Sequence, residues 1–324
     1  MRLARRRFLQ LAAGAAGPAM PHVARAENYP ARPIHFVVGF PPGGAGDLIA
    51  RLVGNALSER LNQTVVIESR AGASGNIATE YVIRARPDGY TLLDVTAINA
   101  WNVSLYDNLK FDILRDLVPI VGMYKGPGLL VVHPSLPVKT LPEFIDYLKA
   151  HPGEVRMGSG GVGGPQHLYG ELFKRMVGVG MLHVPYRGGG PAMTDLLAGH
   201  VQVMFDTIVT AVSQVRAGQL RALGVTSAKR AAVLPDVPAI AEVVPGYEAA
   251  GWQGIAAPAG VSADIVERLN KETNACLADA KLVARLTDLG GTPFPCTPEE
   301  FRTFIAEFIE KWAKVIRAAG IKAG

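Results

Sequence analysis

Residues 34–61 read IHFVVGFPPGGAGDLIARLVGNALSERL. The apolar run at 34–38 stops at Pro41-Pro42-Gly43-Gly44. After Asp47 apolar residues resume at a 3.6-residue spacing, the pattern of a strand, a glycine turn and an amphipathic helix. Unpaired backbone N–H groups and the positive end of the helix dipole make such a helix start an anion site, and Gly43, Gly44 and Gly46 let a ligand approach the main chain closely. Asp47 is placed to cap the helix from the side away from that ligand. Read alone, the stretch fits an ordinary α/β junction equally well.

The motif recurs. RMGSGGVGGP at 156–165 precedes a helical stretch at 166–177, and PYRGGGP at 185–191 precedes another at 192–198, with Pro191 where a first-turn proline fits. Three helix N-termini converging on one ligand would form a cradle of dipoles suited to a small carboxylate, with no lysine or arginine in contact.

Around these loops, strand-like and helical runs alternate: 34–38, 48–61, 65–68, 77–84 and 91–95, with a turn at Pro87-Asp88-Gly89. This βαβαβ order predicts a parallel sheet with helices on both faces. The rhythm restarts at 129–133 and continues through strands at 155–157, 181–184, 201–205 and 220–225 with helices between them. Beyond Pro245-Gly246-Tyr247 come a strand-like 252–257 and helices at 265–277, 280–289 and 299–319 that have no strands of their own. They need the first sheet to pack on. The expectation is an α/β protein of two domains joined by a hinge with a ligand cleft between them, lobe 1 comprising 27–125 plus 251–324 and lobe 2 comprising 126–250.

At the start, Arg5-Arg6-Arg7-Phe8-Leu9 leads into the apolar stretch 11–19 and the small-x-small site Ala24-Arg25-Ala26. Residues 1–26 read as a twin-arginine export signal, with the mature chain beginning at Glu27 in the periplasm. The sequence has 33 Lys+Arg against 28 Asp+Glu. The excess resides in Arg2, Arg5, Arg6, Arg7 and Arg25, so the remainder is formally neutral and gives no support to a nucleic-acid partner. Cys276 and Cys296 either pair or remain two buried thiols.

Several residues carry candidate chemistry. Gly158-Ser159-Gly160-Gly161-Val162-Gly163 satisfies the dinucleotide fingerprint, but the following strand ends in Pro185-Tyr186-Arg187 without the acid that would bind a ribose hydroxyl; Arg187 facing a 2′-phosphate keeps an NADP-dependent oxidoreductase as the alternative. His167, on a helix first turn, faces a bound anion or fills a core position. Asp206 ends an apolar strand and either accepts a ligand ammonium or hydroxyl or caps the next helix. Asn99 offers an amide and Trp101 an aromatic wall or simple packing. No G-x-S-x-G, H-E-x-x-H, C-x-x-C or P-loop lysine occurs, so hydrolase, zinc and nucleotide-triphosphate chemistries lack an anchor.

A set of ordered motifs carries a family resemblance: Tyr29-Pro30-x-Arg32-Pro33-Ile34, Pro41-Pro42-Gly43-Gly44-x-x-Asp47, Pro87-Asp88-Gly89-Tyr90-Thr91-Leu92-Leu93, His183-Val184-Pro185-Tyr186-Arg187-Gly188, Phe205-Asp206 and Leu234-Pro235-Asp236-Val237-Pro238. The chain closely resembles the Bug family, the substrate-binding receptors of tripartite tricarboxylate transporters. The resemblance implies a type II-like two-lobed periplasmic binding protein, not an enzyme and with no cofactor or metal. Such a receptor, expected as a monomer, closes over a small carboxylate and delivers it to a membrane permease; a ligand sensor signalling to a membrane partner is a further alternative. It implies a pincer of two loops: Phe40, Gly43, Gly44, Ala45, Gly46 and Asp47 on one side, Ser159, Gly160, Gly163, Gln166 and His167 on the other. Asn99, Trp101, Gly188 and Asp206 complete the expected site. The chain departs from the family pattern at Gly46, where Thr or Ser is usual, and at Gly163-Gly164-Pro165-Gln166, which lacks the usual hydroxyls.

Overall fold

A computed structural model describes residues 29–323. The chain divides into two compact units, Met1–Ala31, of which Tyr29–Ala31 are described, and Arg32–Gly324. The export signal expected over 1–26 lies outside the described residues.

In the second unit β1 (Ile34–Val38) pairs in parallel with β2 (Val65–Ser69) and β3 (Thr91–Thr96). All of β1 but His35 is buried, because α1 (Ala45–Leu61) and α2 (Asn76–Ile83) connect its parallel neighbours and pack on the sheet. β3 continues into α3 (Ala97–Leu105), and the short α4 (Ile113–Asp116) leads to β4, which runs unbroken from Leu117 to Val132. That length corrects the expectation of a strand confined to 129–133. Up to Pro127, β4 pairs antiparallel with β9 (Ala250–Pro258); from Gly128 onward it pairs antiparallel with β7 (Val203–Thr207) and β8 (Arg221–Val225). Register shifts at Pro119/Val121 and Gly122/Tyr124 interrupt the ladder within the half of β4 that pairs with β9.

The strand order is β2-β1-β3-β9-β4-β7-β5-β6, with β5 (Arg156–Ser159) and β6 (Leu182–Pro185) parallel to each other. The sheet is mixed rather than all parallel, since β9 runs antiparallel to β3 and β4. β4 and β9 carry the chain out of one set of strands and back, the arrangement of a two-lobed binding protein. α5 (Leu141–Ala150), α6 (Pro165–Val177), α7 (Gly189–Leu197) and α8 (Ile208–Arg216) alternate with the strands of the second set.

The C-terminal helices pack as the missing strands required. α9 (Ala263–Leu277) meets α1, where Arg60 pairs with Glu272 at 2.9 Å, and α10 (Ala280–Asp288) follows it. α11 (Pro298–Ala318) starts at a reciprocal cap between Thr297 and Glu300 and presents Phe301, Phe304, Phe308 and Trp312 along one stripe. Trp312 packs edge-on to Trp101 of α3 at 5.3 Å, and Tyr169 of α6 lies 6.0 Å from Trp101, so one aromatic cluster spans three helices. Removing such a buried ring costs about 3–5 kcal/mol.

The bridge between Cys276 and Cys296 does not form; both are free thiols. Asn270 and Asn274 of α9 donate to the Cys296 carbonyl at 2.8 and 3.1 Å, while the Gly122 N–H donates to its Sγ at 3.1 Å. Cys276 lies two residues beyond Asn274, about 200° further around the helix, so its thiol leaves from another side. Burial pushes that thiol up to about 11.

Candidate functional site

A cavity of about 420 Å³ opens where four helices begin: α1 after Gly44, α3 after Thr96, α6 at Pro165 and α8 after Thr207. Its walls are largely apolar, formed by Phe40, Ile49, Ile98, Trp101, Tyr169 and Val209 among others, and none of its lining residues is charged. The helix starts differ in what they offer. α3 is satisfied internally: Thr96 Oγ1 accepts from the Ile98 N–H at 3.2 Å, and Asn99 Oδ1 accepts from the Thr96 N–H at 2.8 Å. The N-caps of α1, α6 and α8 make no side-chain cap bond. Their first-turn N–H groups have no intrahelical acceptor and present partial positive charge without a cationic side chain. In α6 the first position is Pro165, so its free donors begin at Gln166.

The α1 and α6 loops share one construction. Gly43 (φ +85) and Gly163 (φ +74) occupy left-handed backbone that favours glycine, and each is followed by an extended glycine N-cap, Gly44 or Gly164. The third helical residue then reaches back to the first glycine. Asp47 Oδ2 accepts from the Gly43 N–H at 3.0 Å, and His167 Nδ1 accepts from the Gly163 N–H at 3.1 Å. Each latch is braced one turn on, Asp47 by Arg51 at 2.9 Å and His167 Nε2 by Glu171 at 3.4 Å. The sequence pattern behind this is Gly-Gly-x-x-Asp-Leu at 43–48 and Gly-Gly-x-x-His-Leu at 163–168. The Arg51 guanidinium holds the Asp47 carboxyl below its usual range. His167 must carry its proton on Nε2, since Nδ1 accepts.

The expected site residues therefore separate. Phe40, Gly44, Gly46 and Trp101 line the cavity, and Ala45 is the first residue of α1. Gly43, Asp47, Gly163 and His167 form the latches. Asn99 caps α3 and donates to Thr79 Oγ1 at 2.9 Å instead of facing the cavity. Ser159, Gly160, Gln166, Gly188 and Asp206 build a network behind the α6 loop. Gln166 Oε1 accepts from the Gly160 N–H at 2.9 Å, its Nε2 donates to Asp206 Oδ1 at 2.7 Å, and Thr210 Oγ1 donates to Asp206 Oδ2 at 2.5 Å. Burial raises the Asp206 carboxyl. A side chain on Gly160 would meet Gly189 N at 2.8 Å and Gln166 Oε1 at 2.9 Å, so this glycine admits the chain's own residues. The Gly188 loop is docked the same way, its N–H donating to Gly160 O at 3.1 Å. The start of α7 consequently does not line the cavity, and α3 and α8 stand where the sequence led us to expect it.

The same contacts bear on the dinucleotide alternative. The N–H groups of Gly160, Gly161 and Gly163 donate to Gln166, Ser159 and His167, which occupies the amides a pyrophosphate would use. Ser159 Oγ also contacts His183 Nε2 at 2.6 Å, and the His183 ring stacks on His167 with centroids 3.7 Å apart. Burial, then the neighbouring His167, pulls His183 down to about 4.

Sequence reasoning missed Tyr124, Tyr169, Thr207 and Gln253, all of which line the cavity. Gln253 sits on β9 opposite Thr96 of β3 and is 7% exposed. Its Nε2 donates to Asp94 Oδ2 at 3.2 Å. Asp94 is fully buried, and desolvation, opposed by the Gln253 bond, lifts its carboxyl well above the usual range.

Two lobes sharing crossing strands, with uncapped helix starts facing one uncharged cavity, define a ligand-binding receptor of the periplasmic binding protein class. The profile of the tripartite tricarboxylate transporter family receptor matches residues 49–321, and the chain belongs to that family. It is 38% identical over 300 residues to Protein BugT of Bordetella pertussis, covering 92% of each chain. Among solved structures, R. palustris Rpa4515 with adipate superposes with a TM-score of 0.82 at 37% identity, covering 91% of this chain and 99% of that one. MatC of Rhodopseudomonas palustris with bound malate gives 0.77 at 32% identity, covering 89% and 100%. Among the described residues no helix is long and apolar enough to cross a membrane.

Proposed function

We propose that the chain is an exported periplasmic receptor that closes on a small carboxylate between the α1 and α6 helix starts and delivers it, unchanged, to the membrane permease of a tripartite tricarboxylate transporter. The observation that carries this reading is the pair of glycine-capped helix N-termini, free of side-chain caps, beside a cavity whose lining holds no charge. Micromolar binding needs about −8 kcal/mol. Two or three charge-assisted backbone bonds of about 1.5–3 kcal/mol each, with burial on the aromatic walls, supply it without arginine. The adipate and malate in the two R. palustris neighbours support the ligand class.

The hinge falls where β4 changes partners and β9 returns, which supports lobe boundaries near 125/126 and 250/251. Export by the twin-arginine route with cleavage after Ala26 completes the proposal, and N-terminal sequencing of periplasmic protein should read Glu27. The deciding experiment is calorimetry and thermal shift of the mature monomer with mono-, di- and tricarboxylates, amino acids, aromatic acids and NADP. A carboxylate at a hundredfold excess over its Kd should stabilise by about 2.7 kcal/mol. Stabilisation by NADP and by no acid would overturn the receptor reading in favour of an oxidoreductase.

A further inference from the structure

The cavity contains a polar group that the carboxylate alone does not account for. Gln253 lines it and is 7% exposed, yet its Oε1 is buried with no hydrogen-bond partner among the described residues. A buried acceptor is ordinarily satisfied, and one that is not marks a place where a ligand group or water belongs. Its setting is specific. Gln253 Nε2 donates to Asp94 Oδ2 at 3.2 Å, and Oε1 is the end of the amide left without a partner. Asp94 is 1% exposed and lies two residues before Thr96, Gln253's cross-strand partner, so both side chains stand on the same face of the sheet. Above them, a Cβ on Gly46 would come within 3.0 Å of Gln253 Nε2. Glycine at the second position of α1 is therefore what gives the amide room beneath the helix start.

We propose that Gln253 is the specificity-determining residue of the ligand site: its side-chain carbonyl, oriented by Asp94 and accommodated by Gly46, accepts a hydrogen bond from a hydroxyl or amino group carried by the bound acid. The proposal rests on the carboxylate reading above and adds the ligand's second functional group. The preferred ligands are hydroxy- or amino-substituted acids with an otherwise apolar body that fits the walls formed by Phe40, Ile98 and Tyr169. Asp94 is a positioning residue that acts through Gln253.

The test is calorimetry with matched probes: succinate against malate and aspartate, adipate against 3-hydroxyadipate, and benzoate against 3- and 4-hydroxybenzoate. In the series that binds tightest, the wild-type protein should prefer the substituted acid by about tenfold or more, because a site with a buried polar group discriminates against an analogue that leaves it unpaired. Gln253→Met, which keeps the length and loses the amide, should lower that preference to about threefold or less, read as the ratio of the two acids' affinities within the same protein. Gln253→Leu provides a second variant, each checked by its melting curve. Gly46→Ser, which crowds the amide, should also reduce the preference. Asp94→Leu should lose it, whereas Asp94→Asn, which retains an acceptor for Nε2, should restore it; a purely structural aspartate would show no such split. Equal or better binding of the unsubstituted acids by wild type, or an unchanged preference in Gln253→Met, would overturn the assignment and leave the carboxylate reading standing. Failure of every acid to bind would remove both.

Discussion

The stacked imidazoles behind the α6 loop make stability depend on pH in a direction that the structure fixes. His183 lies against His167 and Ser159, and burial together with the neighbouring ring lowers it from 6.5 to about 4, Lys174 adding to the lowering and Glu171 opposing it. Above pH 6.5 neither the folded nor the unfolded chain holds a proton there. Between 6.5 and about 4 the unfolded chain binds one and the folded chain does not, so unfolding becomes easier as pH falls; below about 4 both are protonated and the loss stops growing. At about 1.4 kcal/mol per tenfold change in proton affinity, a wholly shielded ring would account for a loss of about 3 kcal/mol. His183 is only partly buried, and solvent screening reduces this to about 1.5 kcal/mol. The perturbation is His183→Gln, which sets an amide near the Nε2 position and removes the His183 titration; the lost ring stack lowers the variant's baseline stability. Urea unfolding from pH 7.5 to 4 should then show wild type losing about 1.5 kcal/mol more than the variant. The raised carboxyls of Asp94 and Asp206 titrate in both proteins and cancel in the difference. Parallel curves for the two proteins, or an NMR titration placing His183 near 6.5, would refute the reasoning.

Asp47→Ala removes the acceptor of the Gly43 N–H and a negative group from the first turn of α1, and should cost about 1 kcal/mol at pH 7 by denaturant unfolding. The Arg51 pair and the Gly43 bond hold the Asp47 carboxyl below 3.8, so its contribution is complete above that pH and fades only as pH falls through the lower folded value; a cost that vanished by pH 5 would contradict this. For the cysteines, protein unfolded without reductant should take up two equivalents of a thiol reagent, and none would show a bridge that the structure lacks.

Much of the architecture was legible because it is locally encoded. β1 and α1 announce themselves through an apolar run, a proline-glycine break and a helical period, and α11 through its aromatic stripe. β4 was legible only in its second half. Its first half carries Pro119, Gly122 and Gly126, residues that weaken a strand read alone, and it exists because β9, far later in the chain at Ala250–Pro258, comes back to pair with it. Gln253 was illegible for the same reason: nothing in WQGIAAP marks a cavity residue until the β3 pairing sets it beside Thr96.

The glycine loops show where local reading fails in kind. Gly44, Gly160 and Gly188 each precede a helix and look alike in sequence, yet only Gly44 lines the cavity. At Gly160 the missing side chain makes room for Gln166 and Gly189, and its N–H is already bonded to Gln166. A glycine opened for a ligand and one opened for a neighbouring side chain differ in the partner of the loop amide, which is set by residues elsewhere in the chain. The latch pattern improves on glycine counting because it includes such a partner. At 43–48 and 163–168 the third helical residue takes up the first glycine's N–H and leaves the following amides without a cap. The loop at 188–190 has no counterpart to Asp47 or His167: its corresponding residues are Pro191 and Ala192, neither of which has a side-chain acceptor. The side chain that returns to the glycine, an acceptor at Asp47 and His167 and none at Pro191 or Ala192, is what separates the two cavity loops from the third.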